Sequence, residues 1–183
     1  MTDENQNLSR IRRISRRLQR LLWIALAIPP LALLYYWGFH HTLPPETQAG
    51  ARLGIVIVEP LPAALRTLAF GLTMAGASIS MWGVYALIRL FRLYESGRIF
   101  LAENVACFRT IGRVCIAQAA ANVLLVPVLS VILTLNNPAG QKQLALSFGS
   151  GSFFLLLAGG VILVIAAVME EGRKLEEDRQ LTV

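Results

Sequence analysis

The residue types that commonly carry enzyme chemistry or bind metals are sparse in this chain. Two adjacent histidines, His40 and His41, have Glu46 and Glu59 near them in sequence, but their spacing matches no common metal-ligand pattern. The sequence holds no nucleophile–base arrangement, H-E-x-x-H motif, phosphate-binding glycine loop or paired-carboxylate site. We therefore predict that the protein is not an enzyme and has no catalytic residue, metal site or cofactor.

The two cysteines, Cys107 and Cys115, lie in one segment and belong to no C-x-x-C or Cys/His cluster. Such spacing indicates neither a zinc site nor a disulfide framework. We predict that both are free thiols on the reducing side of the membrane.

Two amide side chains, Gln118 and Asn122, stand one helical turn apart within a long apolar run. On one face of a membrane helix, such amides bind neighbouring helices or line a path for a solute or ion. No Asp, Glu, Lys, Arg or His lies at the middle of any apolar run, which argues against a proton relay or an ion-coupled pump.

The elements that carry these residues are long and uncharged. Only 15% of the residues are charged, against about 25% in an average soluble protein. Four stretches without Asp, Glu, Lys or Arg are long enough to cross a ~30 Å hydrocarbon core. They lack the alternation of polar and apolar residues that is typical of β-barrel strands. The four stretches are residues 21–40, 67–88, 114–135 and 151–169. The sequence therefore predicts an all-α polytopic membrane protein with a four-helix transmembrane domain over residues 21–169.

The basic residues are distributed very unevenly around these spans. Fourteen of them flank the N-terminus, the connection 89–113 and the C-terminal tail, whereas only Arg52, Arg66 and Lys142 lie on the opposite side. By the positive-inside rule, both termini and the connection 89–113 are cytoplasmic. We therefore predict a multi-pass protein of the bacterial inner membrane.

The N-terminal segment 1–20 holds six of the arginines. Leu8, Ile11, Ile14 and Leu18 recur at helical spacing among them, which predicts a basic amphipathic helix on the anionic cytoplasmic leaflet. The net charge of +6 therefore reflects membrane topology, and we expect no direct binding of nucleic acid. Residues 15–18 are similar to a twin-arginine export signal, but the following apolar run is too long for one and lacks a clear cleavage site, so we expect no export.

The connections on the opposite side are short. Residues 41–62 include an apolar, β-prone stretch at 54–58 that we expect at the membrane surface, and residues 136–143 are turn-like. Neither connection can hold a separate domain.

The cytoplasmic connection and the tail carry the motifs of a known family. The connection reads Gly97-Arg98-Ile99-Phe100-Leu101-Ala102-Glu103-Asn104 and then Arg109-Thr110-Ile111-Gly112, and the acidic tail closes in Leu181-Thr182-Val183. This pairing resembles the bacterial family called "domain of unknown function 2975", over nearly the whole chain after the arginine-rich segment. The resemblance implies small proteins with four membrane helices, encoded beside helix-turn-helix regulators, and implies no catalytic residue, substrate or cofactor. Leu101 departs from the hydroxyl residue usual in the family, which removes a predicted cap of the third helix.

The tail, residues 170–183, is acidic and lies on the same predicted side as most arginines. We expect the fourth helix to continue into it, with a cluster formed by Glu170, Glu171, Glu176, Glu177 and Asp178. The cluster either forms an ionic clasp with the connection or the N-terminal segment, or remains a solvated helix end.

The sequence leaves two hypotheses about the function of the protein, and they belong to different functional classes. The first is a non-enzymatic sensor or accessory subunit that binds a membrane or cytoplasmic protein partner, or a second copy of itself. The second is an oligomeric small-solute or ion channel lined by Gln118 and Asn122. For the first, the candidate interaction residues are Gly97, Phe100, Asn104, Arg109, Glu171, Leu175, Glu177 and Leu181.

Overall fold

A computed structural model describes residues 2–44, 47–58, 60–97, 101–138, 140–146 and 149–181, and the side chains of these except 2–12, 41, 52, 176 and 178–181. A 3₁₀ turn at His40–Thr42 accompanies five helices, which are α1 (Thr2–Gly38), α2 (Ala49–Leu53), α3 (Ala63–Glu95), α4 (Ala102–Thr134) and α5 (Ser150–Leu181). The described residues contain no strand, which confirms the all-α prediction.

Each predicted span lies in one of the four long helices, and all four are long and apolar enough to cross a membrane. These helices have 32 to 37 residues, or about 50 Å at 1.5 Å per residue, which exceeds the ~30 Å apolar core. They therefore project well beyond it. Because α3 runs to Glu95 and α4 starts at Ala102, most of the predicted connection 89–113 is helical. As expected, α5 continues into the acidic tail.

One compact unit comprises α1 up to Ala27, residues 80–116, and α5 from Leu155 onward. Ala86 and Leu90 of α3 and Cys107 and Ile111 of α4 are buried together in its core. This unit contains the polar extensions of the long helices that carry the predicted interaction residues.

Within that unit, α4 and α5 approach closely at two glycines. A Cβ atom added to Gly159 would lie 2.9 Å from the carbonyl oxygen of Gly112, and one added to Gly112 would lie 3.0 Å from the carbonyl oxygen of Gly159. Glycine permits such backbone contact, from which membrane helices gain packing energy that the hydrophobic effect does not supply in lipid.

A second compact unit comprises Ile28–Ile79 and Ala117–Phe154. Its buried core includes Trp37, Leu61, Ala69 and Leu133. The indole Nε1 of Trp37 donates a hydrogen bond to Thr73 Oγ1 at 3.0 Å and thereby links α1 to α3.

The β-prone stretch at 54–58 does not form a strand, because amide side chains take the place of a neighbouring strand. Asn137 Oδ1 accepts a hydrogen bond from the Val58 N–H at 3.1 Å, and Asn137 Nδ2 donates to the Val56 carbonyl oxygen at 2.7 Å. Gln143 Oε1 accepts from the Val56 N–H at 2.9 Å. These side chains satisfy the extended backbone and tie the two short connections together.

Candidate functional site

The described residues predicted to bind a partner all belong to the compact unit that contains α5 from Leu155 onward. We call them the loop–tail site, defined as Gly97, Asn104, Arg109, Glu171, Leu175 and Glu177. Phe100 lies outside the described residues, as do Arg98 and Ile99. Leu181 is the last residue of α5, and its side chain lies outside the description.

Gly97 ends α3 by adopting a left-handed conformation, with φ of 77°. Its N–H donates to the Tyr94 carbonyl oxygen at 3.1 Å, and the Ser96 hydroxyl donates to the Leu93 carbonyl oxygen at 2.8 Å. Both contacts satisfy carbonyl groups that the helix end leaves open. Gly97 therefore shapes the turn that leads into the connection.

The start of α4 forms without the hydroxyl cap. The Leu101 carbonyl oxygen accepts hydrogen bonds from the N–H groups of Asn104 at 2.9 Å and Val105 at 3.4 Å. The Asn104 side chain is fully buried, with 0% of its surface exposed. In this position the Asn104 side chain cannot touch a partner directly.

An ion pair between α1 and α3 belongs to the same unit and was not predicted. Arg16 Nε donates to Glu95 Oε1 at 2.8 Å, across 79 positions of sequence. A signal for it exists, because Glu95 is the single acidic residue between Glu59 and Glu103 and lies on the predicted side of the basic N-terminal segment. Nothing in the sequence distinguishes Arg16 from the other five arginines of the N-terminal segment as the partner of Glu95.

The described carboxylates of the tail form their hydrogen bonds within α5. Arg173 donates to Glu170 at 3.0 Å and also pairs with Glu177, while Lys174 lies 3.7 Å from a carboxylate oxygen of Glu171. These partners are three or four positions apart, as expected for neighbours on a helix surface. Arg173 thus holds together two turns of the tail.

Arg109 of α4 acts on the base of this tail. Glu170 follows the uncharged run 151–169 of α5 and so lies outside the predicted membrane span. The hydrogen bond from Arg173 lowers the pKa of Glu170, and the positive charge of Arg109 acts in the same direction. This influence is electrostatic only, and an ionic clasp between the tail and the connection stays a prediction.

The tail exposes an apolar side chain as well as acidic ones. Leu175 is 59% exposed, and the side chains of Glu171 and Glu177 are 68% and 59% exposed. Arg109 is also exposed. These residues of the loop–tail site are available for contact, in contrast to Asn104.

The two amides of the apolar run belong to the other compact unit. Gln118 Nε2 donates to Asn122 Oδ1 at 3.0 Å, which confirms that they share a face of α4. The side-chain hydrogen bond runs along one helix, and nothing in it requires a solute.

The described residues contain no group of three or more His, Cys, Asp or Glu side chains that could hold a metal. His40 is buried and stacks on Trp37, with ring centroids 5.4 Å apart and planes within 6°. Glu46, Glu59 and the side chain of His41 lie outside the description. Cys107 and Cys115 are free thiols.

Comparison with known families gives one match. The profile of a family described as "Protein of unknown function (DUF2975)" matches residues 57–183, which confirms the resemblance drawn from the connection and tail motifs. The matched region includes α3, α4 and α5 and omits α1. It is therefore shorter than the predicted resemblance, which covered nearly the whole chain after the arginine-rich segment. No curated protein and no solved structure matches the chain.

Proposed function

Because this chain belongs to the DUF2975 family of proteins of unknown function and has four helices long and apolar enough to span a membrane, we propose that it is a non-enzymatic interaction protein of the bacterial inner membrane. It serves as a sensor or accessory subunit, and its loop–tail site binds a protein partner on the cytoplasmic side. The basic N-terminal segment binds the anionic lipids of the same leaflet.

The observation that carries this proposal is the exposed face of the tail. Leu175 lies four positions after Glu171, so the two share one face of α5, and Arg173 cross-links this helix through Glu170 and Glu177. A single exposed leucine needs no explanation by itself. Here it is combined with exposed carboxylates on a helix that is already ordered, which lowers the entropic cost of binding.

This face specifies the chemistry of its partner. An apolar contact for Leu175 flanked by Lys or Arg side chains would complement it, because interfaces combine a desolvated centre with a charged rim. A basic amphipathic helix has this composition. One such segment is the N-terminal segment of a second copy of this chain, so a homo-oligomer is one form of the complex.

The partner can be captured by a photoreactive amino acid at position 175 of the full-length protein in its native membrane. We expect a light-dependent adduct with one discrete protein. A matched control is position 157, because Leu157 is 54% exposed on the same helix but within its apolar run, where the neighbours are lipid. Identical adducts at both positions would refute the proposal, and two differently tagged copies distinguish a homo-oligomer from another partner.

The tail's role can be separated from membrane insertion. Deleting the residues from Glu176 onward, or combining Glu171→Lys with Glu177→Lys, should abolish the adduct at position 175 while the four helices still insert. The charge reversal Lys142→Glu is a matched control, because Lys142 is exposed but belongs to the other compact unit. An adduct that survives both tail variants would exclude the tail from binding.

The alternative, an oligomeric channel lined by Gln118 and Asn122, has less support. The two amides hydrogen bond to each other, so their polarity is compensated within α4. Solute flux through proteoliposomes that is lost in Asn122→Leu would nevertheless favour the channel.

A further inference from the structure

A cleft of about 380 Å³ lies between the C-terminal end of α1 and the N-terminal end of α3, within the second compact unit. Three large apolar side chains, Leu34, Trp37 and Phe70, line it, together with Gly38, Arg66 and Thr67. The volume falls in the range of pockets that hold small ligands, roughly 300–1,000 Å³. The cleft is therefore mostly apolar and contains one fixed positive charge.

Arg66 supplies that charge, and its bonding is incomplete. Its Nε atom is shielded from solvent and has no hydrogen-bond partner among the residues that the structure describes. A guanidinium offers five N–H donors and no acceptor, and a shielded donor without a partner costs free energy. Arg66 also lines the cleft, so an anion with several oxygen atoms bound there would accept paired hydrogen bonds from its guanidinium.

The apolar wall of the cleft is held in place without a ligand. Trp37 is only 5% exposed, its Nε1 donates to Thr73 Oγ1 at 3.0 Å, and its ring stacks on His40. These contacts fix the indole from two sides. The cleft is preformed, so binding would not require this wall to be ordered first.

We propose that the cleft binds one anionic phospholipid, with its phosphate on Arg66 and part of an acyl chain against Leu34, Trp37 and Phe70. The position of Arg66 favours a lipid over a soluble anion. It directly precedes the uncharged run that starts at Thr67, so it lies where lipid phosphates meet the apolar core. The remaining wall belongs to helices that are apolar enough to span the bilayer.

The first test uses full-length protein from vesicles of equal parts phosphatidylcholine and phosphatidylglycerol, with retained lipid measured by native mass spectrometry. Wild-type protein should retain phosphatidylglycerol preferentially. Arg66→Gln should reduce that preference about tenfold, the effect of losing one charge-assisted hydrogen bond. Lys142→Gln removes an exposed cation from the same unit and should leave the preference unchanged.

The second test fills the cleft. Gly38 has open space around its Cβ position and an ordinary backbone conformation, so Gly38→Leu adds a side chain without a backbone clash. It should abolish retention of both lipids, because it displaces the acyl chain. Gly151→Leu is a matched control at another glycine with open space, and it should retain lipid as wild type does.

Three outcomes would overturn the proposal. Equal retention in Arg66→Gln and Lys142→Gln would mean that Arg66 contacts headgroups no more specifically than a surface cation. Unchanged retention in a folded Gly38→Leu variant would mean that the cleft is not the site. Displacement of the lipid by inorganic phosphate alone, at constant vesicle composition, would mean that the site binds a soluble anion.

Discussion

The side chains of the loop–tail site differ in exposure, and this difference separates the residues of the tail from two residues of the connection. Leu175, Glu171 and Glu177 are exposed and can touch a partner. Gly97 and Asn104 are different, because Gly97 ends α3 and the Asn104 side chain is fully buried. Substitutions at the two groups should therefore change different measurable properties.

At the residue scale, Gly97→Ala should lower stability by about 1 kcal/mol, because an L side chain is strained at a φ of 77°. Thermal unfolding in mild detergent measures this. Gly172→Ala is the matched control, since Gly172 lies inside α5 with open space around its Cβ position. It should be neutral or stabilising. Equal effects at the two positions would contradict a special role for the backbone at Gly97.

At the scale of helices, two kinds of contact hold the first compact unit together and differ in strength. The Arg16–Glu95 pair joins α1 to α3, but Arg16 is 67% exposed, and exposed pairs contribute about 0–1 kcal/mol. The contact between Gly112 and Gly159 brings the backbones of α4 and α5 close enough to pack directly against each other. The glycine contact should therefore dominate stability, with the ion pair setting the orientation of the N-terminal segment.

Adjacent glycines of α5 allow a matched test of this ranking. Gly159→Leu should destabilise the protein by about 1–3 kcal/mol, because its Cβ would lie 2.9 Å from the Gly112 carbonyl oxygen. Gly160→Leu should have little effect, since the space around that position is open. Thermal unfolding of both variants tests this ranking. If Gly160→Leu were as unstable as Gly159→Leu, the loss of stability would come from placing leucine in the helix and not from disrupting the glycine contact.

At the scale of the whole molecule, the four long helices determine which segments share a side of the membrane. If each crosses once, the chain returns to its starting side after the second and fourth crossings. The N-terminus, the connection between α3 and α4, and the tail then lie on one side of the membrane, which the distribution of basic residues predicts to be the cytoplasmic side. The loop–tail site can bind a cytoplasmic partner only if the chain has this topology.

This topology can be tested by labelling single cysteines, introduced into a variant in which Cys107 and Cys115 have been replaced. A membrane-impermeant maleimide added to intact cells should label Lys142→Cys and leave Leu175→Cys unlabelled until the membrane is opened. Both positions are exposed in the structure, so access and not burial controls the result. Labelling of position 175 in intact cells would place the tail outside and remove the proposed cytoplasmic site.

The sequence alone determined the four spans, the all-α class and the family, because each depends on properties of consecutive residues. An uncharged run of about 20 residues must satisfy its own backbone in lipid, whatever its neighbours are. The helix ends were less predictable, since the polar extension of α3 carries no helix breaker before Gly97 and α4 starts soon after it, at Ala102.

Only the tertiary structure decided which distant residues meet. Arg16 with Glu95, Asn137 with Val56, and Gly112 with Gly159 are pairs from different segments, up to 81 positions apart. The cleft beside Arg66 likewise exists only because α1 lies against α3. Such contacts depend on which face each helix turns towards its neighbours. Hydropathy has nearly the same value around much of each apolar helix, so it does not encode that orientation.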